Sequence, residues 1–342
     1  MKIVLITGGA GFIGSNFVKY LFDAYPDYHI IVLDALTYAG NVENIPDKIK
    51  SDSRFSFWYG NVRNGELVDE LVSKADIVVH FAAESHVARS IFDNTAFFRT
   101  DVLGTQVVAN AVLKNYDSVE RFIHISTSEV YGTAAEAPMT EEHPLNPTTP
   151  YAAAKTGADR LVYSYWVTYD IPAVIIRPFN NYGPNQHLEK VIPRFITSAL
   201  LDEPLTVHGS GQSTRDWVYV RDVCRALDKV MHIGLGEVRG QVINIGTGRD
   251  TSISEIAEMV LAKLNKPQSL ITHMGSRPGQ VDRHISSTDK ALDILGWKAE
   301  TDFDRGLNET IEWYRQNRDW WQKLLWMRHV PIKTKDGKVE YH

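Results

Sequence analysis

The stretch that most restricts the fold is Lys2-Ile3-Val4-Leu5-Ile6-Thr7-Gly8-Gly9-Ala10-Gly11-Phe12-Ile13-Gly14. Its first residues are mostly branched and apolar without alternation, which reads as a strand buried on both faces of a parallel sheet. A glycine turn follows, and Ser15 to Phe22 then has helical spacing. Strand, glycine turn and helix make a pyrophosphate cradle. Glycine lets the backbone turn tightly and approach the phosphates. The helix N-terminus offers free N–H groups and a positive dipole end. Gly8, Gly11, Phe12, Ile13 and Gly14 are therefore candidate cofactor contacts. The bland alternative is a tight strand-to-helix connection with no ligand. A second strand, His29-Ile30-Ile31-Val32-Leu33, argues against it by ending in Asp34, 20 residues after Gly14. An acid there holds both hydroxyls of an adenosine ribose and repels a 2′-phosphate, which favours NAD over NADP.

The chain has 342 residues, 44% of them hydrophobic, enough for a large core in one or two domains. Net charge is −6 with no basic run, which argues against nucleic acid as a partner. A single cysteine, Cys224, leaves no disulfide framework and no thiol metal cluster. No signal peptide and no apolar run of membrane-spanning length is visible, so a soluble cytoplasmic protein is expected.

Along the chain, the loop Ala35 to Asn41, with Leu36 and Thr37, is placed to close over the adenosine. Phe55–Gly60 reads as a third strand, with Asn61 and Val62 at its end near the adenine. Asp76–Ala83 is a fourth strand whose small terminal residues let a flat cofactor pass. Ligands in open α/β sheets sit outside the carboxyl ends of strands. Phe81, Ala82, Ala83 and Ser85 are placed there. Asn94–Asn115 has a long helical pattern containing Thr100. Arg121–Ser126 is a fifth strand, Tyr151 opens a helix to about Tyr169, and Ala173–Arg177 is a sixth strand. This alternation predicts an α/β fold, a doubly wound parallel (Rossmann) sheet with right-handed crossovers. Past Pro178 the strands shorten and Gly and Pro turns multiply, which predicts a smaller mixed α/β substrate-binding cap. The expected division is residues 1–180, with parts of the later chain returning to them, then 181–330 as cap and 331–342 as tail. The aromatics Trp320 to Trp326 read as packing on the chain's own cap or as a subunit contact.

Tyr151-Ala152-Ala153-Ala154-Lys155 puts a phenol and an ammonium four residues apart on one helix face. An adjacent cation should lower the phenol's pKa, so that a phenolate can take a hydroxyl proton while hydride leaves the same carbon. Alone, this spacing more often marks a helix surface. Here it lies downstream of the glycine turn and of a strand ending in Ser126-Thr127. The histidines have no metal-ligand spacing, and this chemistry needs no metal.

With these residues assembled, the chain resembles the extended short-chain dehydrogenases/reductases that modify nucleotide sugars, from residue 2 to about residue 315. Among them it is most similar to the nucleoside-diphosphate-hexose 4,6-dehydratases of dTDP-glucose type. The resemblance rests on Ala82-Ala83-Glu84-Ser85-His86-Val87, Arg89-Ser90-Ile91 and Asn180-Asn181-Tyr182-Gly183-Pro184. Glu189-Lys190-Val191-Ile192-Pro193, Arg215 to Val220, Asn244-Ile245-Gly246 and Arg277-Pro278-Gly279 continue it. It implies tightly held NAD, with Ser126 and Asn181 also on the cofactor. It implies C4 oxidation with Tyr151 taking the hydroxyl proton and Lys155 assisting. Thr127 holds the 4-oxygen and Glu129 removes the C5 proton. Water is then lost and hydride returns to C6, giving a 4-keto-6-deoxy sugar. Ser85, Asn180, Lys190, Val191, Val207, Arg215, Asn244 and Arg277 form the implied substrate set, with the cations on the diphosphate. It also implies a homodimer through helices near 95–115 and 151–168, with Val102, Val107, Val108, Val112, Leu161, Val162, Tyr165 and Trp166 as candidate contacts.

One departure bears on mechanism. The dTDP-glucose enzymes carry Thr-Asp-Glu, the Asp protonating the leaving hydroxyl, where this chain has Thr127-Ser128-Glu129. Serine is a far weaker acid. Either Ser128 relays a proton or no hydroxyl is expelled. A second departure is Ala88, where those enzymes have Asp. A nucleotide-sugar 4-epimerase or UDP-glucuronate decarboxylase therefore stays open, as does a cofactor-binding regulator without catalysis. Against the decarboxylase, Asn185 to Lys190 follows the dehydratase form.

Overall fold

The computed structural model describes residues 1–275, 279, 281–333 and 338–341. In chain order the strands are β1 (Lys2–Thr7), β2 (Tyr28–Asp34), β3 (Phe55–Tyr59), β4 (Ile77–His80), β5 (Arg121–Ile125) and β6 (Ala173–Pro178). They continue as β7 (Asn180–Tyr182), β8 (Leu205–His208), β9 (Thr214–Tyr219), β10 (Val242–Ile245), β11 (Asp250–Ser252) and β12 (Ile271–Met274), followed by the antiparallel pair β13 (Pro331–Lys333) and β14 (Val339–Tyr341). Seven form one sheet in the order β10-β6-β5-β4-β1-β2-β3. Every pairing in it is parallel. β5 and β6 are buried at each position, as strands covered by helices on both faces must be. The strand order reverses between β1 and β4, and a crevice opens at such a switch point.

One face of the sheet is covered by the helices Phe12–Ala24 and Val220–His232, which bury Val18, Leu21, Val223, Leu227 and Val230 in one core with Val4 and Val79. The other face carries the helices Thr105–Lys114 and Pro150–Tyr169, burying Val108, Val112 and Val162 beside Leu5 and Val78. Each fully buried Val or Leu stabilises the fold by ~1.5–3 kcal/mol. The Pro150–Tyr169 helix starts where it does because Thr149 Oγ1 accepts the Ala152 N–H at 3.2 Å and Pro150 presets the first turn. It stops at Asp170, which takes a left-handed conformation with φ 54°.

The pattern over 94–115 is not one uniform helix. A short helix, Thr95–Phe97, runs into a π-helical turn, Phe98–Gly104, before Thr105–Lys114 resumes α geometry. The wide turn buries Asp101, whose Oδ1 accepts the Glu84 N–H at 2.8 Å. Thr100 is left on the cavity wall. The expected dimer positions also differ. Val108, Val112 and Val162 belong to the chain's own core, and Val107, Tyr165 and Trp166 pack against it. The large apolar side chains exposed in these helices are Phe98, Leu103, Tyr163, Val167 and Tyr169.

The later chain builds a second, smaller core around Tyr182, Ile192, Phe195, Trp217, Ile256, Leu307, Tyr314 and Trp321. Its strands form the mixed sheet β11-β9-β7 and the parallel pair β12-β8. β10, by contrast, returns to the large sheet as its edge strand. Trp320 and Trp321 are buried in the second core, whereas Trp326 is exposed. Among the described residues no helix is long and apolar enough to cross a membrane.

Candidate active site

A cavity of about 430 Å³ lies at the carboxyl ends of the central strands. The second unit closes it with Asn180, Lys190, Thr206, His208, Arg215 and Trp217. At one end the wall is main chain. Gly8 has φ +71°, and a Cβ there would lie 2.6 Å from the Ala82 nitrogen. A Cβ on Gly14 would lie 2.3 Å from the Gly8 carbonyl oxygen. Only glycine fits either position. Gly11 caps the Phe12–Ala24 helix with no side-chain hydrogen bond, and no acidic residue occupies the first turn. Its leading N–H groups and dipole therefore face the cavity free of protein anions. Asp34 is held by the Ala10 N–H at 2.9 Å and the Leu36 N–H at 2.8 Å. Burial pushes its carboxyl up, and those two backbone donors pull against that rise. Phe12, Ile13, Thr37, Asn61, Val62, Phe81, Ala82, Ala83, Ser85 and Asn181 complete this end.

Behind it runs a buried hydrogen-bond chain. Thr105 Oγ1 donates to the Asp101 carbonyl at 2.5 Å, so it accepts from His80 Nε2 at 3.0 Å. His80 Nδ1 is then an acceptor for the Thr7 hydroxyl at 2.7 Å. Thr7 in turn receives the Ala82 N–H at 3.3 Å. Burial pushes His80 down to about 3, so the ring is neutral and this tautomer is fixed.

At the far end Thr127, Ser128, Glu129, Tyr151 and Lys155 meet on the cavity wall. Thr127 caps the short turn Ser128–Tyr131 by accepting the Glu129 N–H at 3.2 Å. Lys155 Nζ donates to the Ile125 carbonyl at 2.6 Å, which fixes the ammonium behind the strand end. Burial lowers its pKa, and the charges of Asp101 and Asp159 oppose that. The expected depression of Tyr151 is not what the protein's own groups produce. Burial is the main cause of a rise, Asp101 and Glu129 add to it, and a hydrogen bond with Thr127 alone pulls it down. A positively charged cofactor bound in the cavity would act against that rise.

The strand-end residue Ser126 lines the cavity, yet its hydroxyl donates to Asp159 Oδ2 at 2.6 Å. Asp159 also binds Arg177 at 2.9 Å through each oxygen. Arg177 donates to the Tyr131 hydroxyl at 2.8 Å, which donates to Asn244 Oδ1 at 2.7 Å. Asn244 is fully buried and off the cavity. Its amide donates to the Met139 carbonyl at 3.1 Å, and its backbone N–H goes to Glu141 at 2.7 Å. Within the protein it braces Tyr131, Met139 and Glu141 together. Val207 is likewise withdrawn, because neighbours on a strand face opposite sides. Its side chain enters the second core, while Thr206 and His208 face the cavity. Leu36 lies just outside the wall and contributes its N–H to Asp34. Arg277 lies outside the described residues. Val191, Lys190 and Arg215 do line the cavity, with Lys190 Nζ donating to the Ser85 carbonyl at 2.6 Å and Arg215 to the Val281 carbonyl at 2.7 Å.

Several wall residues were not anticipated. Thr206 and His208 carry the alternation of β8, the one signal that points to them. Glu189 is buried and takes the Arg89 guanidinium at 2.9 Å. Arg89 also sits 4.5 Å over the Tyr38 ring. This cluster joins residues about a hundred positions apart, and no local pattern announces it. His284 stands behind Ser128, with its Nδ1 3.5 Å from Ser128 Oγ.

The glycine cradle, the open helix end and the strand-end acid fit a dinucleotide. The Thr–Tyr–Lys set beside them defines a site for hydride and proton exchange at a carbinol carbon. Comparison with known proteins agrees. The description "GDP-mannose 4,6 dehydratase" belongs to a family model matching residues 5–310. The chain is 45% identical to the low-salt glycan biosynthesis protein Agl12 of Haloferax volcanii, over 91% of this chain and 98% of that one. It is 41% identical to the dTDP-glucose 4,6-dehydratase of Streptomyces niveus, over 94% and 95%. The crystal structure of DesIV, a dTDP-glucose 4,6-dehydratase from Streptomyces venezuelae with NAD bound, superposes with a TM-score of 0.89 at 40% identity. That superposition covers 94% of this chain and 99% of DesIV. The chain belongs to the nucleotide-sugar 4,6-dehydratase family, within the extended short-chain dehydrogenases/reductases.

Proposed function

We propose that the chain is an NAD-dependent 4,6-dehydratase of dTDP-glucose, which it converts to the 4-keto-6-deoxy sugar. The observation that carries this reading is the convergence of Thr127, Glu129, Tyr151 and Lys155 on a cavity with a dinucleotide cradle at its other end. Gly8, Gly11 and Gly14 hold the pyrophosphate and Asp34 the adenosine ribose. Lys190 and Arg215 face the substrate diphosphate, and Asn180 bonds beside them. NAD held by these residues would supply the hydride exchange, first with C4 and then with C6. Tyr151 accepts the 4-hydroxyl proton, with Thr127 holding the 4-oxygen and Lys155 on the nicotinamide ribose. The C4 ketone acidifies C5–H, and Glu129 removes that proton. The leaving 6-hydroxyl faces Ser128.

The domain division at about residue 180 belongs to this proposal, with helix Val220–His232 and β10 serving the first unit. So does a homodimer through the Thr105–Lys114 and Pro150–Tyr169 helices. Exposed Leu103, Val167 and Tyr169 support it, and a monomeric mass by light scattering would refute it. A cytoplasmic setting is proposed as well, tested by cell fractionation.

Mass spectrometry of products from dTDP-glucose, UDP-glucose, GDP-mannose and UDP-glucuronate tests the reaction. Loss of one water from dTDP-glucose is expected. An unchanged mass with inverted C4, or loss of carbon dioxide from the uronate, would overturn the dehydratase.

A further inference from the structure

The reaction proposed above needs a proton for the departing 6-hydroxyl, and Ser128 cannot originate one. Behind Ser128 stands His284, fully buried on a segment more than 150 positions away in sequence. Its Nε2 lies 2.6 Å from the Gly132 carbonyl, which can only accept, so Nε2 carries the hydrogen. Nδ1 is then a bare acceptor. It faces Ser128 Oγ at 3.5 Å and Glu129 Oε1 at 3.9 Å. Gly132 itself is locked, with φ +69° and no room for a Cβ against the Asn146 carbonyl oxygen. The Phe179 ring stands edge-on to the imidazole, with centroids 6.1 Å apart. The one acceptor site on His284 therefore lies between the residue that gains a proton from C5 and the residue beside the leaving oxygen.

We propose that His284 is a positioning residue that carries the C5 proton from Glu129 to Ser128 and so to the departing 6-hydroxyl. The balance is closed. Glu129 takes the C5 proton, and the C5–H electron pair becomes the C5–C6 double bond. Glu129 passes the proton to His284 Nδ1. His284 gives it to Ser128 Oγ as the Ser128 hydroxyl proton goes to the 6-oxygen. The C6–O bond breaks and its electron pair leaves with water. Every protein group returns to its starting state.

The charged and titratable groups facing His284 suit a transient carrier. Burial lowers its basicity most, Glu129 favours its protonated form, and Arg215 and His143 oppose it. The ring is thus neutral at rest and gives up a proton readily.

The test is a double-mutant cycle read by rapid mixing. His284→Gln keeps an amide donor for the Gly132 carbonyl but cannot ferry a proton. Its first step, seen as a burst of reduced cofactor and of 4-keto hexose, is expected at the wild-type rate. Water loss is expected to fall by roughly 10²-fold or more. Adding Ser128→Asp supplies a carboxylic acid at the leaving oxygen, and water loss is expected to recover without the histidine. His284→Gln eliminating at the wild-type rate would overturn the relay, as would a lost burst or a double variant as slow as the single. A wild-type enzyme that loses no water from any nucleotide hexose would overturn the parent reading and the relay together.

Discussion

At the Gly8–Gly14 end the closest wall of the cavity is backbone from one short turn, whereas at the Ser128–Arg215 end it is walled by side chains from separate stretches of the chain. The turn excludes every residue but glycine at Gly8 and Gly14 by contact distance. The second end is set by charge and hydrogen bonding among groups that meet only after the chain has folded. Steric sites fail by overlap, and such failures carry over into folding. Electrostatic sites fail by loss of a proton or a partner, and the fold survives. Substitutions at the two ends should therefore separate stability from turnover.

The largest effect belongs to the side-chain end. Tyr151→Phe removes one oxygen from a buried ring and leaves its packing with Phe97 and Ala154 intact. Turnover should fall by about 10²–10⁴-fold, with NAD affinity and melting temperature unchanged. Calorimetric binding and steady-state kinetics check this. Retained turnover would remove Tyr151 from the chemistry. At the backbone end, Gly8→Ala meets both a left-handed φ and the Ala82 nitrogen. It should cost the fold about 2–4 kcal/mol and weaken NAD binding as well. A variant as stable as the parent would show that the cradle yields, and the contrast between the ends would collapse.

The smallest effect lies between them, in the Thr7–His80–Thr105 chain. Folded His80 stays neutral down to about pH 3, whereas in the unfolded chain it protonates near its usual 6.5. Its folded pKa is depressed, so its stabilising contribution is complete above pH 6.5 and is lost as pH falls below that. By pH 6 the loss amounts to roughly 1 kcal/mol. His80→Asn should flatten the fall in melting temperature between pH 7.5 and 6. An unchanged slope would mean that other buried histidines, His187 among them, carry it.

What was legible in the sequence follows the same divide. Six strands of the large sheet, the glycine turn and Asp34 lie in local order, so spacing reveals them, whereas β10 joins the sheet from the later chain and was read with the cap. Tyr151 and Lys155 share a helix face and were equally plain. The burial of the Val207 side chain was not legible, because a motif names a strand without saying which face of it meets the cavity. Nor were the internal bonds of Asn244, because a bracing amide and a ligand-binding amide look alike in one dimension. The Glu189–Arg89 pair and His284 depend on distant partners, which no periodicity encodes. The π turn at Phe98–Gly104 hides inside a pattern that helical spacing fits almost as well. The raised pKa of Tyr151 shows the same limit, since it comes from burial first and then from Asp101, which reaches it from that hidden turn.

The bonded series Ser126–Asp159–Arg177–Tyr131–Asn244 has a consequence for anyone reshaping this enzyme. It fastens the strand end and the turn carrying Thr127 to Tyr131 onto the rim of the sheet, through groups of which only Ser126 lines the cavity. A library that varies only the cavity wall would hold the other four fasteners constant and sample one pose of the turn. Randomising Asn244 and Tyr131 instead would retune the catalytic turn from behind, in the way a violin's pitch is altered at the peg and not at the bow.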